Sequence, residues 1–349
     1  MTHLIYVTWE NTEDNHAGMK YLCQKLQELY PNEYIAHEML RPANSKPVDS
    51  SNALGRLLGK IKQRIKKFHR DYDLKKRNEK FANELILDST DKVILMEYLD
   101  NNVNQYIVAC TIRKKHPEVK LYALCHLVPQ KINKIFTNTK LRKWVNKVDY
   151  LVTLGSSLTH YYYTRNIPQS KILTSFHYID DYYITQKISN ISNKVLVQGN
   201  QMRDMAMLEN IVRNNPTISF VVCQGIQDLS KTFGKYSNVE LMPFMEEEKL
   251  KGLMQDCPIS LNVMHDTIGS NVIVTSMGMG EAMICSDVGS IRDYCDESNC
   301  IFCNSVNDFS NALKSLTNNR IVLEKMRQSS VRKAYQFNIT NFHKFLSSL

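Results

Sequence analysis

No stretch approaches the ~18 consecutive apolar residues that a membrane-crossing helix requires, so no spanning segment is expected. The chain opens Met1-Thr2-His3-Leu4-Ile5-Tyr6-Val7-Thr8. It has no basic segment followed by a long apolar one, so no secretory leader is expected. The nine cysteines are scattered, at 23, 110, 125, 223, 257, 285, 295, 300 and 303. Only Cys300-Ile301-Phe302-Cys303 has the CxxC spacing, and no second pair accompanies it, so a zinc framework is not expected. An odd number of thiols without a leader points to reduced cysteines in a cytosol. No internal repeat is visible, and no DxD motif sits in a suitable loop.

Length and charge bound what remains. With 349 residues the chain is too long for one hydrophobic core, so two domains are expected. Hydrophobic residues make up 43% and charged residues 23%, which fits a soluble globular protein rather than a disordered one. The formal net charge of +9 allows nucleic acid, an anionic membrane or a phosphorylated substrate as partner, without choosing among them.

Strand and helix patterns alternate along both halves. Residues 4–8 read as a strand, and a polar loop containing His16 and Gly18 leads into a helix ending near Tyr30. That loop lies at a strand's C-terminal end, where α/β sites form, so His16 and Gly18 are site candidates; a plain surface loop reads equally well. A basic amphipathic helix is expected over residues 53–68, in an insertion spanning about 41–80. Its Leu54, Leu57, Leu58, Ile61 and Ile65 share one side, while Arg56, Lys60, Arg64, Lys66 and Lys67 populate the rest. Such a helix either lies in the headgroup layer of an anionic membrane or packs on its own domain with a solvated basic face. The block lacks interleaved aromatics, so nucleic acid is not an expected partner.

Further strands are expected at 92–96, 119–125, 149–154 and 171–176, with helices at 102–116 and 156–165. His126 follows the strand at 119–125. A histidine there either meets a substrate or is structural. After a joint near residues 177–193 the alternation resumes, with strands at 194–197, 219–223, 239–241, 259–263, 282–285 and 301–302. The stretch His265-Asp266-Thr267-Ile268-Gly269-Ser270-Asn271-Val272 then reads as a loop opening a helix, with Ser270 or Asn271 as N-cap. A helix N-terminus beside strand C-terminal loops favours an anion, because unpaired N–H groups and the helix dipole act together.

The order of these segments resembles the GT-B glycosyltransferases, particularly family GT4. Asp149-Tyr-Leu-Val-Thr-Leu-Gly-Ser-Ser-Leu resembles that family's D-x-V-I-x-x-S-x-x-L. Lys171-Ile-Leu-Thr-Ser-Phe-His-Tyr-Ile-Asp resembles its hinge segment, Val195-Leu-Val-Gln-Gly-Asn its F-V-G-R, and Asn238-Val-Glu-Leu-Met-Pro-Phe its N-V-x-F-x-G-F. The stretch 265–290 resembles its E-G-F-x-N-V-x-x-E-A-M-A-C-G-x-P-V-V-x-S-D-V-G-G. The likeness covers about residues 149–349; the first half matches in architecture and in the Gly18 loop only.

The resemblance implies an α/β protein of two Rossmann-like domains facing across a cleft. Residues 1–180 would bind the acceptor and residues 181–336 the nucleotide-sugar. A crossover helix at 337–349 would pack back on the first domain. Gly269, Ser270, Asn271 and Val272 would offer amides to the donor diphosphate, Gly199 would stand at the diphosphate clamp, and Gly225 would lie near the base. Gly18 would approach from the other domain, His126 would stand at the reacting sugar, and His16 would lie on the acceptor side. The family's acidic pair is not intact: register puts Thr267 and Thr275 at its two positions, with Asp266 a substitute for the first acid. The clamp's Arg and Lys are missing, and Arg203 supplies part of that charge.

The expected activity is transfer of a sugar from a nucleotide-sugar to a hydroxyl of a saccharide or lipid-linked acceptor, in bacterial surface polysaccharide synthesis. No cofactor or metal is expected, and retention of configuration is implied by the resemblance alone. A cytoplasmic setting is expected, with a peripheral seat on the inner face of the cell membrane. The losses at the acidic pair and clamp also admit a non-catalytic GT-B binding subunit, and the fold admits a nucleotide-sugar epimerase.

Overall fold

The computed structural model describes all residues except 9–14, 41–52, 189–191 and 226; within 53–67 it describes the side chain of Lys66 alone. The chain divides into two compact units. One holds Gly18–Val152 and Tyr163–Leu173 with the first strand. The other holds Thr153–Tyr162 and Thr174–Leu349, together with residues 15–17. The chain therefore passes between the units on either side of residues 15–17 and near 153, 163 and 174, whereas the sequence reading divides it at residue 180.

The first sheet is built from β1 (Thr2–Thr8), β2 (Tyr34–Leu40), β3 (Lys92–Leu95), β4 (Lys120–Cys125), β5 (Tyr150–Thr153) and β6 (Ile172–Thr174). Its order is β2-β1-β3-β4-β5-β6, and β1 pairs in parallel with both β2 and β3. Between these strands run α1 (Met19–Leu29), α2 (Ala53–Glu84), α3 (Gln105–Lys115), α4 (Pro129–Ile135), α5 (Asn138–Val145) and α6 (Ser156–Tyr163). Parallel strands covered on both faces must be apolar throughout; β1 and β4 each bury five consecutive residues.

β2, α4 and α5 are not among the elements expected from the sequence. In β2 only Tyr34 and Met39 are buried, because it is the edge strand of the sheet. The basic helix was expected to stop near Phe68, yet α2 continues to Glu84. Its continuation buries Leu74, Asn78 and Ala82, four residues apart on one face. The middle residue of that face is polar: Asn78 Nδ2 donates to the carbonyls of Val103 (2.9 Å) and Asn104 (3.1 Å). An apolar period alone does not register such a face.

The second sheet comprises β7 (Lys194–Val197), β8 (Ser219–Cys223), β9 (Val239–Met242), β10 (Ile259–Asn262), β11 (Ala282–Ser286) and β12 (Cys300–Cys303). All five neighbouring pairs are parallel, in the order β12-β11-β10-β7-β8-β9. The chain moves outward from β7 to β9, then returns to place β10 beside β7. That reversal is the topological switch point, where doubly wound sheets leave a crevice at the strand C-termini.

The helices of this unit are α7 (Met205–Asn214), α8 (Ser230–Phe233), α9 (Glu247–Asp256), α10 (Asn271–Gly278), α11 (Ile291–Tyr294), α12 (Val306–Asn318), α13 (Arg320–Ala334) and α14 (Ile339–Ser347). Short polar side chains start several of them. Asp204 caps α7, Ser270 caps α10, Asn338 caps α14, and Ser305 with Asp308 forms a capping box on α12. At the start of α14, Phe342 meets Phe176 and Tyr178 within this unit.

Candidate functional site

The loops after β7 and β10 are stitched together across the switch point. Asp204 N donates to Val263 O (2.9 Å) and His265 N to Met202 O (2.8 Å), so residues 202–204 run along 263–265. This places Arg203 in the crevice. Its Nη2 donates to Gln198 O, and its Nη1 is buried with no hydrogen-bond partner among the described residues. Burial pushes the guanidinium down to about 10, which still leaves it a cation at neutral pH. A buried cationic N–H without an acceptor is costly.

The start of α10 faces the same point. Ser270 is extended and accepts from Ile273 N (3.4 Å). That cap leaves the amides of Asn271 and Val272 uncommitted among the described residues. Gly199, at φ +81°, lies where a Cβ would come within 2.7 Å of Val272 Cγ2 and 3.9 Å of Arg203 Nη2. Only glycine adopts this backbone cheaply and lets the loop close on the helix. Gly199, Arg203, Ser270, Asn271 and Val272 are thus brought together. The Asn271 Oδ1 is also buried without a partner among the described residues.

Five further expected residues, Gly225, Gly269, Asp266, Thr275 and Thr267, lie in the same unit. Gly225 backs onto Asn200, whose Nδ2 donates to Gln224 O (3.3 Å). Gly269, at φ +92°, packs on the Tyr294 hydroxyl. Asp266 is half-buried, and desolvation raises its pKa against the backbone N–H of Thr267. The Thr275 hydroxyl donates to Asn271 O (2.6 Å), so its proton serves the helix itself. Thr267 is buried, and its Oγ1 accepts from Gly269 N (3.2 Å). Gly18 and His126 belong to the first unit: Gly18 precedes α1 with φ −87°, and His126 follows β4, half-buried.

His16 has a setting the sequence did not indicate. Its Nδ1 is hydrogen-bonded to Asp180, which is 7% exposed. Its backbone N–H donates to both carboxylate oxygens of Glu247 (3.0 and 3.1 Å), and Tyr178 donates to its carbonyl (2.8 Å). Its ring stacks on Tyr182, centroids 4.3 Å apart, and Lys251 lies over that tyrosine at 3.7 Å. Glu247, in the first turn of α9, also accepts from the Tyr183 hydroxyl (2.7 Å). Only the fold brings residues 16, 180 and 247 together.

Beneath α10 lies a buried polar chain that sequence reasoning also missed. Gln198 Nε2 donates to Ser276 Oγ (3.0 Å), which is 3.0 Å from Ser260 Oγ, and Asn262 Nδ2 donates to Ser260 (3.0 Å). The Glu281 carboxyl, 0% exposed, faces these hydroxyls, but neither closes a hydrogen bond with it. Burial pushes its pKa up to about 8 against the lowering influence of Ser276, Ser260 and Arg327.

No three His, Cys, Asp or Glu side chains gather to hold a metal among the described residues. Among them, too, no helix is long and apolar enough to cross a membrane.

No family model matches the chain, and no curated protein matches it. Solved structures do. Anabaena HepE in complex with UDP and glucose superposes with a TM-score of 0.66 at 11% identity, covering 99% of each chain. The lipopolysaccharide outer core galactosyltransferase WaaB, in its apo form, gives 0.64 at 12%, covering 100% of both. A glycosyltransferase from Rickettsia africae gives 0.60 at 9%, covering 97% of this chain and 94% of its own. These neighbours are GT-B glycosyltransferases, and the likeness establishes that fold for the chain, as the motif order led one to expect.

Proposed function

We propose that the chain is a glycosyltransferase whose second unit binds a nucleotide-sugar at the β7/β10 crevice. The observation that carries this is Arg203, a buried cation with an N–H unpartnered among the described residues, set beside Gly199 and the open first turn of α10. A donor diphosphate supplies the acceptor oxygens that Arg203 Nη1 and the amides of Asn271 and Val272 lack. In the reaction the bond from the sugar's anomeric carbon to the diphosphate oxygen breaks, and a bond to an acceptor hydroxyl oxygen forms. The diphosphate departs with the bonding pair, and its freed oxygen takes up the proton that the acceptor hydroxyl gives up. Arg203 and the helix dipole stabilise the charge that grows on the leaving group, which is where such preorganised donors act most strongly. The neighbours solved with UDP or UDP-glucose favour a uridine diphosphate donor.

The acceptor is a saccharide or lipid-linked hydroxyl in bacterial surface polysaccharide synthesis. Helix α2 supports a seat on an anionic membrane. Lys66 is exposed, and beyond it Phe68 and Tyr72 are also exposed, with Lys76 Nζ 4.7 Å from the Tyr72 ring centroid. The side chains of Arg56, Lys60, Arg64 and Lys67 lie outside the described residues. Sedimentation with anionic vesicles at low salt is expected, and changing Arg64, Lys66 and Lys67 to Gln abolishes it if the proposal holds.

A second reading, a non-catalytic sugar-nucleotide-binding subunit, is favoured by Thr275, whose hydroxyl proton is committed to Asn271 O. A thermal-shift screen with UDP, GDP, CMP, ADP and dTDP tests the site, since a ligand that binds only the folded state raises Tm. No shift with any of the five overturns it. Release of nucleotide from the matching sugar-nucleotide, in the presence of an acceptor extract, separates the transferase from the subunit.

A further inference from the structure

The loop that leads into α10 is held by one short neighbouring segment. Gly289, at φ +56°, lays its backbone against Thr267 O and Asp266 Oδ1 with no room for a Cβ. Ser290 N donates to Thr267 O (2.7 Å). Tyr294, 1% exposed, closes on Gly269 so tightly that a Cβ there would overlap its hydroxyl.

The same residues hold two further stretches of this unit, at 154–157 and at 177. Ser290 Oγ accepts from Ser157 N (2.9 Å) and lies 2.6 Å from Ser157 Oγ. Asp293 accepts from Ser156 N (2.6 Å) and Ser156 Oγ (2.8 Å). The Tyr294 hydroxyl donates to Leu154 O and accepts from His177 N (2.7 Å), and its ring stacks on Phe337, centroids 5.0 Å apart. One phenol oxygen thus touches the Gly269 loop and bonds to two stretches of the same unit, at Leu154 and His177, that follow the chain crossings near 153 and 174.

We propose that Tyr294 is a positioning residue that couples occupancy of the Asp266–Ser270 loop to the backbone at 154–157 and 177, a proposal that rests on the donor-site reading above. A hydroxyl can donate once and accept twice, and here the donated bond and one accepted bond both go to buried backbone groups. Phenylalanine at 294 would leave the His177 N–H and the Leu154 C=O without that partner while keeping the ring on Gly269 and Phe337. The physical warrant for coupling is this shared oxygen: an anion that orders the loop steadies Tyr294, and a steadier Tyr294 holds His177 N–H. Such linkage is reciprocal, so loosening the crossings weakens the ligand by the same factor.

The test is amide hydrogen exchange on the full chain with and without UDP, alongside a UDP titration, for the natural protein, Y294F and S290A. The natural protein is expected to bind UDP and to slow exchange in peptides covering 154–157 and 177–178. Y294F is expected to bind UDP about fivefold more weakly, the lower end of typical coupling between sites, and to show no UDP-dependent change at 177–178. S290A keeps the phenol, loses the Ser157 bonds, and should lose the response at 155–157 alone; it keeps the proposal testable if Y294F does not fold. If UDP binds the natural protein without altering those peptides, or Y294F transmits the change fully, the coupling is wrong. If UDP does not bind at all, the donor-site reading itself fails, and that result is distinguishable from the first.

Discussion

Replacing Glu281 with glutamine isolates the energetic consequence of burying a carboxyl beneath α10. The unfolded group ionises near 4.5 and the folded one near 8, because burial disfavours the anion. A folded pKa above the unfolded one means the contribution to stability is fully present below pH 4.5 and is lost as pH rises through 8. At about 1.36 kcal/mol per pH unit, the full loss is about 5 kcal/mol, of which about 3 kcal/mol has gone by pH 7. Glutamine has nearly the same shape and no titration, so E281Q should not show this slope. The assay is urea unfolding of both proteins from pH 5 to 8, read as the difference in ΔG, in which all other titrating groups cancel. The expected difference grows in favour of E281Q by several kcal/mol across that range. Parallel curves would refute the reasoning, because they would mean Glu281 titrates alike in both states. Ser276 lies on α10 and Gln198 adjoins Gly199, so UDP affinity of the natural protein should also fall above pH 8 while that of E281Q holds.

Arg203→Gln removes the buried cation and should weaken UDP binding about 10- to 100-fold, the cost of losing a charged hydrogen bond, as measured by calorimetric titration. Gly199→Ala forces an L side chain to φ +81° against Val272; it should cost about 1–3 kcal/mol in urea unfolding and abolish the UDP thermal shift. Ser270→Ala leaves the Ile273 amide uncapped and should cost about 1 kcal/mol of stability by the same measurement. His177 is buried, and desolvation lowers it from 6.5 to about 4, so its contribution is present above pH 6.5 and lost as pH falls through 4. The full loss is about 3 kcal/mol, and H177Q should flatten the acid limb of the stability curve by that amount.

How much was legible beforehand differs between elements. The parallel sheets were visible because buried strands must be continuous apolar runs, as in Val195-Leu196-Val197 and Ala282-Met283-Ile284-Cys285. The start of α10 was visible because a serine preceded by glycine is a local signal that needs no tertiary partner. Edge strand β2 escaped because a strand at a sheet's rim need not be apolar, and α2 was read short because Asn78 breaks its apolar face. The odd, unpaired cysteines gave the right expectation of free thiols throughout.

The sequence alone determined what depends on neighbours along the chain: strand and helix order, caps, glycine turns, and hence the fold. Tertiary structure decided what depends on residues far apart in number. It brought Arg203 to the crevice with an N–H that has no partner among the described residues, set His16 between Asp180 and Glu247, buried Glu281 beneath α10, and gave one tyrosine hydroxyl to Leu154 and His177. Such groupings leave no periodic trace, because hydrogen bonding and desolvation act through a few ångströms of space, whatever the separation along the chain.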